Sequence, residues 1–261
     1  MSTAATLNMS NHSTTSHCDT PVSCGSHLSP PEIVASRHIN TGVTHFECGN
    51  IELAVAAFAD ALSTSRQLLP AEGDHNLAEN HLMMEDDDDD AENDDGPFQP
   101  QFGRSEMVKS TTATSDICIF LNPIKIPTNG SLSVPSKKVH KTLSLITMFN
   151  LAICHHRNAI ENNMDKTYLR KALQLYELAY SIQVQGGIDM TLTPTMIIMS
   201  NVGHIHDVLG NDDNAKQCFQ HLLSTLMFLI EAGERDRVWE FDGFFNNIMQ
   251  TIYANSPAAA A

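Results

Sequence analysis

The chain is poor in basic side chains. Its 261 residues include 15 Lys and Arg against 31 Asp and Glu, which gives a formal net charge of −16. Nucleic acid and anionic membranes are bound through clusters of Lys and Arg. Because acidic side chains outnumber basic ones by two to one, we expect the protein to bind neither nucleic acid nor a membrane. A neutral or basic protein partner is more compatible with this charge.

Long apolar runs and paired cysteines are missing as well. The most apolar stretch late in the chain, residues 222–230, contains Ser224 and Thr225 and is too short to cross a bilayer. The N-terminal residues show neither the charged start nor the apolar stretch of a signal peptide. The 6 cysteines stand singly, without a CxxC pair, so reduced thiols are expected. We therefore expect a cytoplasmic or nuclear protein.

Motifs of catalysis are also absent from the sequence, which has no Gly-rich phosphate loop, no HExxH and no GxSxG. Histidine, a common metal ligand, is concentrated at His155 and His156 and in the HxH pair of His204 and His206. Residues two apart on a helix point about 200° away from each other, so the HxH pair cannot chelate one ion within a helix. We expect no enzyme activity, no metal and no cofactor. A histidine-dependent metalloprotein or enzyme is the least favoured alternative.

Two polar stretches separate the regions with apolar periodicity. Residues 1–30 are rich in Ser, Thr, Asn and His, and residues 70–115 include an acidic run from Asp86 to Asp95. Segments with so few apolar residues cannot bury enough surface to offset the entropy of ordering them, and like charges repel each other. We expect both stretches to be disordered. The acidic run is either a solvated linker or a docking site for a basic partner.

A short extended segment follows the acidic stretch. Ile117, Ile119 and Leu121 alternate with other residues, and two prolines interrupt the segment. Alternation of apolar residues together with proline is typical of edge strands. We expect one or two short edge strands within residues 116–136, projecting from the junction between the helical regions on either side.

Helical apolar spacing covers most of the remaining chain, and part of it recurs. The offset that aligns Asn40 with Asn201 also aligns further pairs of identical residues, namely Gly42 with Gly203, His45 with His206, Gly49 with Gly210, Asn50 with Asn211, Ala54 with Ala215, Phe58 with Phe219 and Leu62 with Leu223. A third copy begins at Asn150 and carries small residues and an aromatic residue in a similar pattern. Recurrence of this kind indicates a helical-repeat architecture.

The recurring residues resemble the tetratricopeptide repeat, a hairpin of two helices. Small residues where the helices meet and an aromatic residue between hairpins carry the resemblance, at Gly42, Gly49, Ala54, Phe58 and Ala61, at Ala152, Ala172, Tyr176 and Ala179, and at Gly203, Gly210, Ala215, Phe219 and Leu222. The resemblance implies an all-α superhelix, or α-solenoid, of three hairpins followed by a capping helix. The layout is also similar to that of uncharacterised repeat proteins of unicellular algae.

The turn between the two helices of a repeat also follows from the sequence. Gly49 and Gly210 suit the left-handed conformation that ends a helix, and Asn50 and Asn211 suit the N-cap of the next helix. The middle copy is atypical, because extra residues around Glu161 separate its two helices.

The predicted layout combines these patterns. It comprises a disordered tail at 1–30, a first repeat at 31–69, a disordered acidic linker at 70–115, an extended insert at 116–136, a second repeat at 137–188, a third repeat at 190–232, a capping helix at 234–254 and a tail at 255–261. The entropy cost of closing a loop grows only logarithmically with its length. We therefore expect the first hairpin to dock on the second despite the long insertion between them.

The resemblance further implies a concave groove, lined by the first helix of each repeat, that binds an extended peptide or a helix. It places Asn40, Asn150 and Asn201 in this groove, where amide side chains can clamp a peptide backbone. Neighbouring groove positions are Val43, Glu47, Ile153, Arg157 and His204. The alternative is that the asparagines bond only neighbouring helices.

Two functional hypotheses follow for a protein without catalytic motifs. The first is a non-enzymatic adaptor or scaffold that binds a protein or peptide partner in the groove. The second is a regulatory protein that binds basic partners through its acidic run.

Overall fold

The computed structural model describes residues 26–66, 101–102, 107–109, 117–127, 131–132, 136–186, 192–232 and 242–254. Within these residues the chain is mainly helical, as the apolar spacing predicts. The helices are α1 (Pro30–Glu47), α2 (Ile51–Arg66), α3 (Ser136–Glu161), α4 (Lys166–Gln185), α5 (Leu192–Leu209), α6 (Asp212–Glu231) and α7 (Asp242–Ala254).

Six short strands accompany the helices in the described residues: β1 (Ser26–His27), β2 (Gln101–Phe102), β3 (Met107–Lys109), β4 (Cys118–Phe120), β5 (Ile124–Lys125) and β6 (Ser131–Leu132). They form three antiparallel pairs, β1 with β6, β2 with β5, and β3 with β4. β1 lies inside the predicted N-terminal tail, and β2 and β3 lie inside the predicted acidic linker. Each of these three strands pairs with a strand of the 116–136 insert.

The helices are arranged as successive hairpins. α1 packs against α2, α3 against α4 and α5 against α6, and the hairpins follow one another through contacts of α2 with α3 and of α4 with α5. The first hairpin therefore docks on the second, as predicted. α7 packs against α6 and α5 and covers the end of the stack, and residues 234–241 of the predicted capping helix lie outside the described residues. Among the helices of the described residues, none is both long and apolar enough to cross a membrane.

The helices of the first and third hairpins meet at glycine. A Cβ atom added to Gly42 would lie 2.6 Å from Cε1 of Phe58, and one added to Gly203 would lie 2.9 Å from Cζ of Phe219. Both aromatic rings are buried, as is Ala152 at the corresponding place in α3. The glycines therefore lie where the two helices of each hairpin meet, as predicted, whereas the aromatic rings, which were expected between hairpins, contact the glycine of their own hairpin.

The predicted turns are confirmed in part. Gly49 and Gly210 both adopt the left-handed conformation, with φ of 78°. Asn211 does occupy the N-cap position of α6, but its side chain makes no capping hydrogen bond. Its Nδ2 atom lies 3.4 Å from Nδ1 of His206 instead. The amide turns back to the preceding helix, so the expected capping role of this side chain was wrong.

We expect the Gly42→Ala substitution to destabilise the protein. The added methyl group would overlap the Phe58 ring, and overpacking of a core costs about 1–3 kcal/mol, against a gain of somewhat under 1 kcal/mol in helix propensity. A net loss of about 1 kcal/mol or more should be measurable by urea unfolding. The Phe58→Leu background provides the control: if the clash is the cause, the cost of Gly42→Ala falls there, and an equal cost in both backgrounds would contradict this explanation.

Candidate binding groove

One asparagine on each of helices α1, α3, α5 and α7 faces a common groove, and residues 117–127 lie in this groove. At one end, Ile126 donates its backbone N–H to Oδ1 of Asn40 at 2.9 Å and accepts from Nδ2 of the same side chain at 2.9 Å. Ile124 is bound in the same way by Asn150, at 2.8 and 2.9 Å.

The two remaining asparagines repeat this arrangement. Phe120 donates to Oδ1 of Asn201 at 3.0 Å and accepts from its Nδ2 at 2.8 Å. Cys118 donates to Oδ1 of Asn247 at 2.6 Å and accepts from its Nδ2 at 2.7 Å. Nδ2 of Asn201 also donates to the Tyr176 hydroxyl at 2.9 Å. We call these four side chains, Asn40, Asn150, Asn201 and Asn247, the asparagine ladder.

The ladder matches the chemistry of an extended backbone. An asparagine amide carries one acceptor and an NH₂ donor, and each strand residue directs its N–H and C=O to one edge. Successive residues face opposite edges, so the ladder can take alternate residues. On the opposite edge, Ile119 pairs with Val108 of β3 and Lys125 pairs with Gln101 of β2. The segment is therefore held along both of its edges.

Residues 117–127 do not project from the fold, so that expectation was wrong. Ile119 and Ile124 are completely buried, and Cys118 and Phe120 on alternate positions are buried too. The ring of Phe120 stacks on Phe244 of α7 with a centroid distance of 4.2 Å. With apolar residues at successive positions, the segment has no face suited to water, and the groove covers it. Extended structure is present as predicted, but residues 116–136 contain three short strands, β4, β5 and β6, and not one or two.

The other predicted groove residues form the floor and one edge. Val43 and Ile153 are completely buried in the core. Glu47 stands at the edge and forms an ion pair with Lys125 of the bound segment at 2.9 Å. Arg157 lies over the ring of Phe46, 5.0 Å from its centroid, and bonds Glu161 at 2.9 Å.

His204 belongs to a buried pair that sequence reasoning missed. Its Nδ1 atom lies 3.2 Å from Nε2 of His156, and both rings are buried between α3 and α5. Burial lowers the pKa of His204 to about 4, and burial together with the neighbouring ring holds the pKa of His156 well below its usual range. Among the described residues, no three His, Cys, Asp or Glu side chains come close enough to hold a metal ion.

Asn247 is the ladder member that sequence reasoning missed. The sequence feature that could have identified it is an asparagine followed by an apolar residue, Asn247-Ile248, as in Asn201-Val202 and Asn150-Leu151. Helix α7 lacks the second helix and the recurring glycines of the other copies, so it was assigned to capping alone. In the structure it caps the stack and also supplies the fourth clamp.

The acidic run from Asp86 to Asp95 lies outside the described residues, so the second hypothesis stays a prediction. Comparison with protein-family models, with curated proteins and with solved structures finds no match for this chain, and its functional interpretation therefore rests on its own contacts.

Proposed function

We propose that the protein is a non-enzymatic adaptor of tetratricopeptide-like hairpins that binds an extended polypeptide in its concave groove. The observation that carries the proposal is the asparagine ladder, in which each side chain bonds both the N–H and the C=O of one residue in an extended segment. Main-chain bonds of this kind provide affinity for an extended strand.

The likeness to tetratricopeptide hairpins has its own support. The contacts of Gly42 with Phe58 and of Gly203 with Phe219 recur at equivalent places in two hairpins. The asparagines also recur at equivalent places, on the first helix of each hairpin. Equivalent residues in successive layers are the property expected of a solenoid, whose first helices share one concave surface.

The bound segment defines how a partner would enter. Residues 117–127 already fill the ladder, so a partner strand has to take their place. A tethered segment competes at an effective concentration in the millimolar range, by the usual behaviour of flexible linkers. A free strand of equal affinity would therefore bind the intact protein only weakly. We propose that partner binding is an exchange of one strand for another.

A strand-replacement experiment tests this proposal. Residues 117–127 are replaced by a Gly/Ser sequence of equal length within the full chain, and a synthetic peptide of residues 116–128, with Cys118 replaced by serine, is added during refolding. We expect helix content and melting temperature to rise with peptide concentration, because a ligand that binds only the folded state stabilises it. A peptide that changes neither would contradict the proposed groove function.

We call the protein in which Gly/Ser replaces residues 117–127 the vacated chain. Two matched variants of the vacated chain locate the site at which the peptide binds. Asn150→Ala leaves the N–H and C=O of one peptide residue without partners, at about 1–3 kcal/mol for each buried group, so the peptide should bind at least tenfold more weakly. Asn162→Ala removes an exposed asparagine in the turn after α3, whose side chain bonds the carbonyl of Asn158. It should leave peptide affinity unchanged, and equal affinity in both variants would place the peptide outside the groove.

A further inference from the structure

We infer that the groove selects an extended apolar strand in which an aromatic residue precedes a Lys or Arg by five positions. The inference rests on the proposed function and specifies its ligand. It is carried by three independent contacts of the bound segment: the register of the ladder, an ion pair at one end and a stacked ring at the other.

The register determines where the ligand needs an N–H group. The ladder bonds residues 118, 120, 124 and 126, so its steps are two, four and two residues long. Proline has no N–H and is excluded from these positions. Pro123 and Pro127 both lie off the ladder, the first within the long step between α5 and α3. The ligand therefore tolerates proline at specified places.

The ion pair determines the charge of the ligand near α1. Lys125 donates to both carboxylate oxygens of Glu47, at 2.9 and 3.0 Å. The two side chains are 39% and 24% exposed, so the pair is partly shielded from water. The residues on either side of Lys125 are buried isoleucines. A basic residue is thus accepted at one defined position between two buried apolar residues.

The stacked ring of Phe120 determines which residue the groove selects near α7, and with it the direction in which the ligand runs along the groove. Phe120 lies on Phe244 with an angle of 23° between the ring planes. Phe244 is on α7 and Glu47 is on α1, so the ligand runs from the last helix of the stack towards the first. An aromatic ring and a cation five residues apart fix both the register and the polarity of the strand.

Binding of peptide variants to the vacated chain tests the ion pair, the stacked ring and the ladder register separately, with one variant for each. Lys125→Glu in the peptide should weaken binding about fivefold, the size expected of a partly exposed ion pair. Phe120→Ala should weaken it on the order of a hundredfold, as for truncation of a buried aromatic side chain. N-methylation at positions 120 and 124 should also weaken it at least about thirtyfold, because two ladder donors are lost at about 1–3 kcal/mol each.

A charge exchange provides the most specific readout. In the vacated chain carrying Glu47→Lys, the order of the two peptide affinities should invert. The Lys125→Glu peptide should then bind more tightly than the parent peptide, which has Lys125. Parent binding with no dependence on Phe120, Lys125 or ladder methylation would overturn the inferred selectivity while leaving the groove function in place. Failure of the parent peptide itself would instead overturn the groove function.

Discussion

Replacing Asn201 by alanine is expected to lower the free energy of unfolding by at least about 3 kcal/mol, because it orphans three groups at about 1–3 kcal/mol each. The side chain is completely buried and satisfies three groups at once, the N–H and C=O of Phe120 and the hydroxyl of Tyr176. Alanine can satisfy none of them. The lost stability has two sources. Two hydrogen bonds to the bound segment disappear, and the Tyr176 hydroxyl is left unpaired in the core.

Urea unfolding followed by circular dichroism measures this loss. Asn162→Ala is the matched control, because its side chain is exposed and its change should stay within about 0.5 kcal/mol. Asn40→Ala should fall between the two, since Asn40 is only half-buried and its two bonds to Ile126 are partly buried. A loss at Asn201 no larger than at Asn162 would mean that the ladder bonds contribute nothing to stability.

Much of the groove could be predicted because the repeat carries positional information. Once Asn40 and Asn201 are aligned by the shared glycines and aromatic residues, both must lie at the same place in equivalent hairpins. Asn150 follows from the third copy. The resemblance to the tetratricopeptide repeat therefore placed three of the four clamps in the groove, and Glu47 at its edge, without any knowledge of what they bind.

The identity of the bound strand could not be predicted in the same way. Alternating apolar residues show that 117–127 is extended, but they do not show which surface covers it. Cys118 meets Asn247 across 129 positions of sequence, and Ile126 meets Asn40 across 86. Such long-range pairing depends on the packed shape of the whole stack. The buried pair of His156 and His204 was missed for the same reason, because the two rings belong to different helices.

The bound segment also explains how a chain with a long insertion forms one continuous core. The stretch between the first two hairpins, residues 67–135, is longer than any helix pair around it, yet its apolar part at 117–127 joins the core between the first helices. Ile117, Leu121 and Ile126 are each at most 2% exposed. Burying a large apolar side chain stabilises a fold by about 1.5–3 kcal/mol, so these residues together offset the entropy of closing the loop. A partner strand has to supply similar burial to replace them.

The buried histidine pair predicts that the protein loses stability in mild acid. His204 has its pKa lowered from the ordinary 6.5 to about 4, and the pKa of His156 is lowered as well. Between these two pH values the unfolded chain binds more protons than the folded chain. The stabilisation is therefore complete above about pH 6.5 and is lost as the pH falls towards 4. His204 alone should account for about 2–3 kcal/mol between pH 7.5 and 4.5, and thermal or urea unfolding across this range measures the loss.

The double variant His156→Leu with His204→Leu isolates this effect. In the described residues, Nδ1 of His156 and Nε2 of His204 have no hydrogen-bond partner, so each tautomer leaves a buried polar atom unsatisfied. Replacing both rings by apolar groups should therefore cost little at neutral pH. Other groups with shifted pKa, such as His155 and Asp207, remain in both proteins and cancel in the comparison. We expect the variant to lose less stability than the wild type on acidification, and equal losses would show that the pair does not control the acid response.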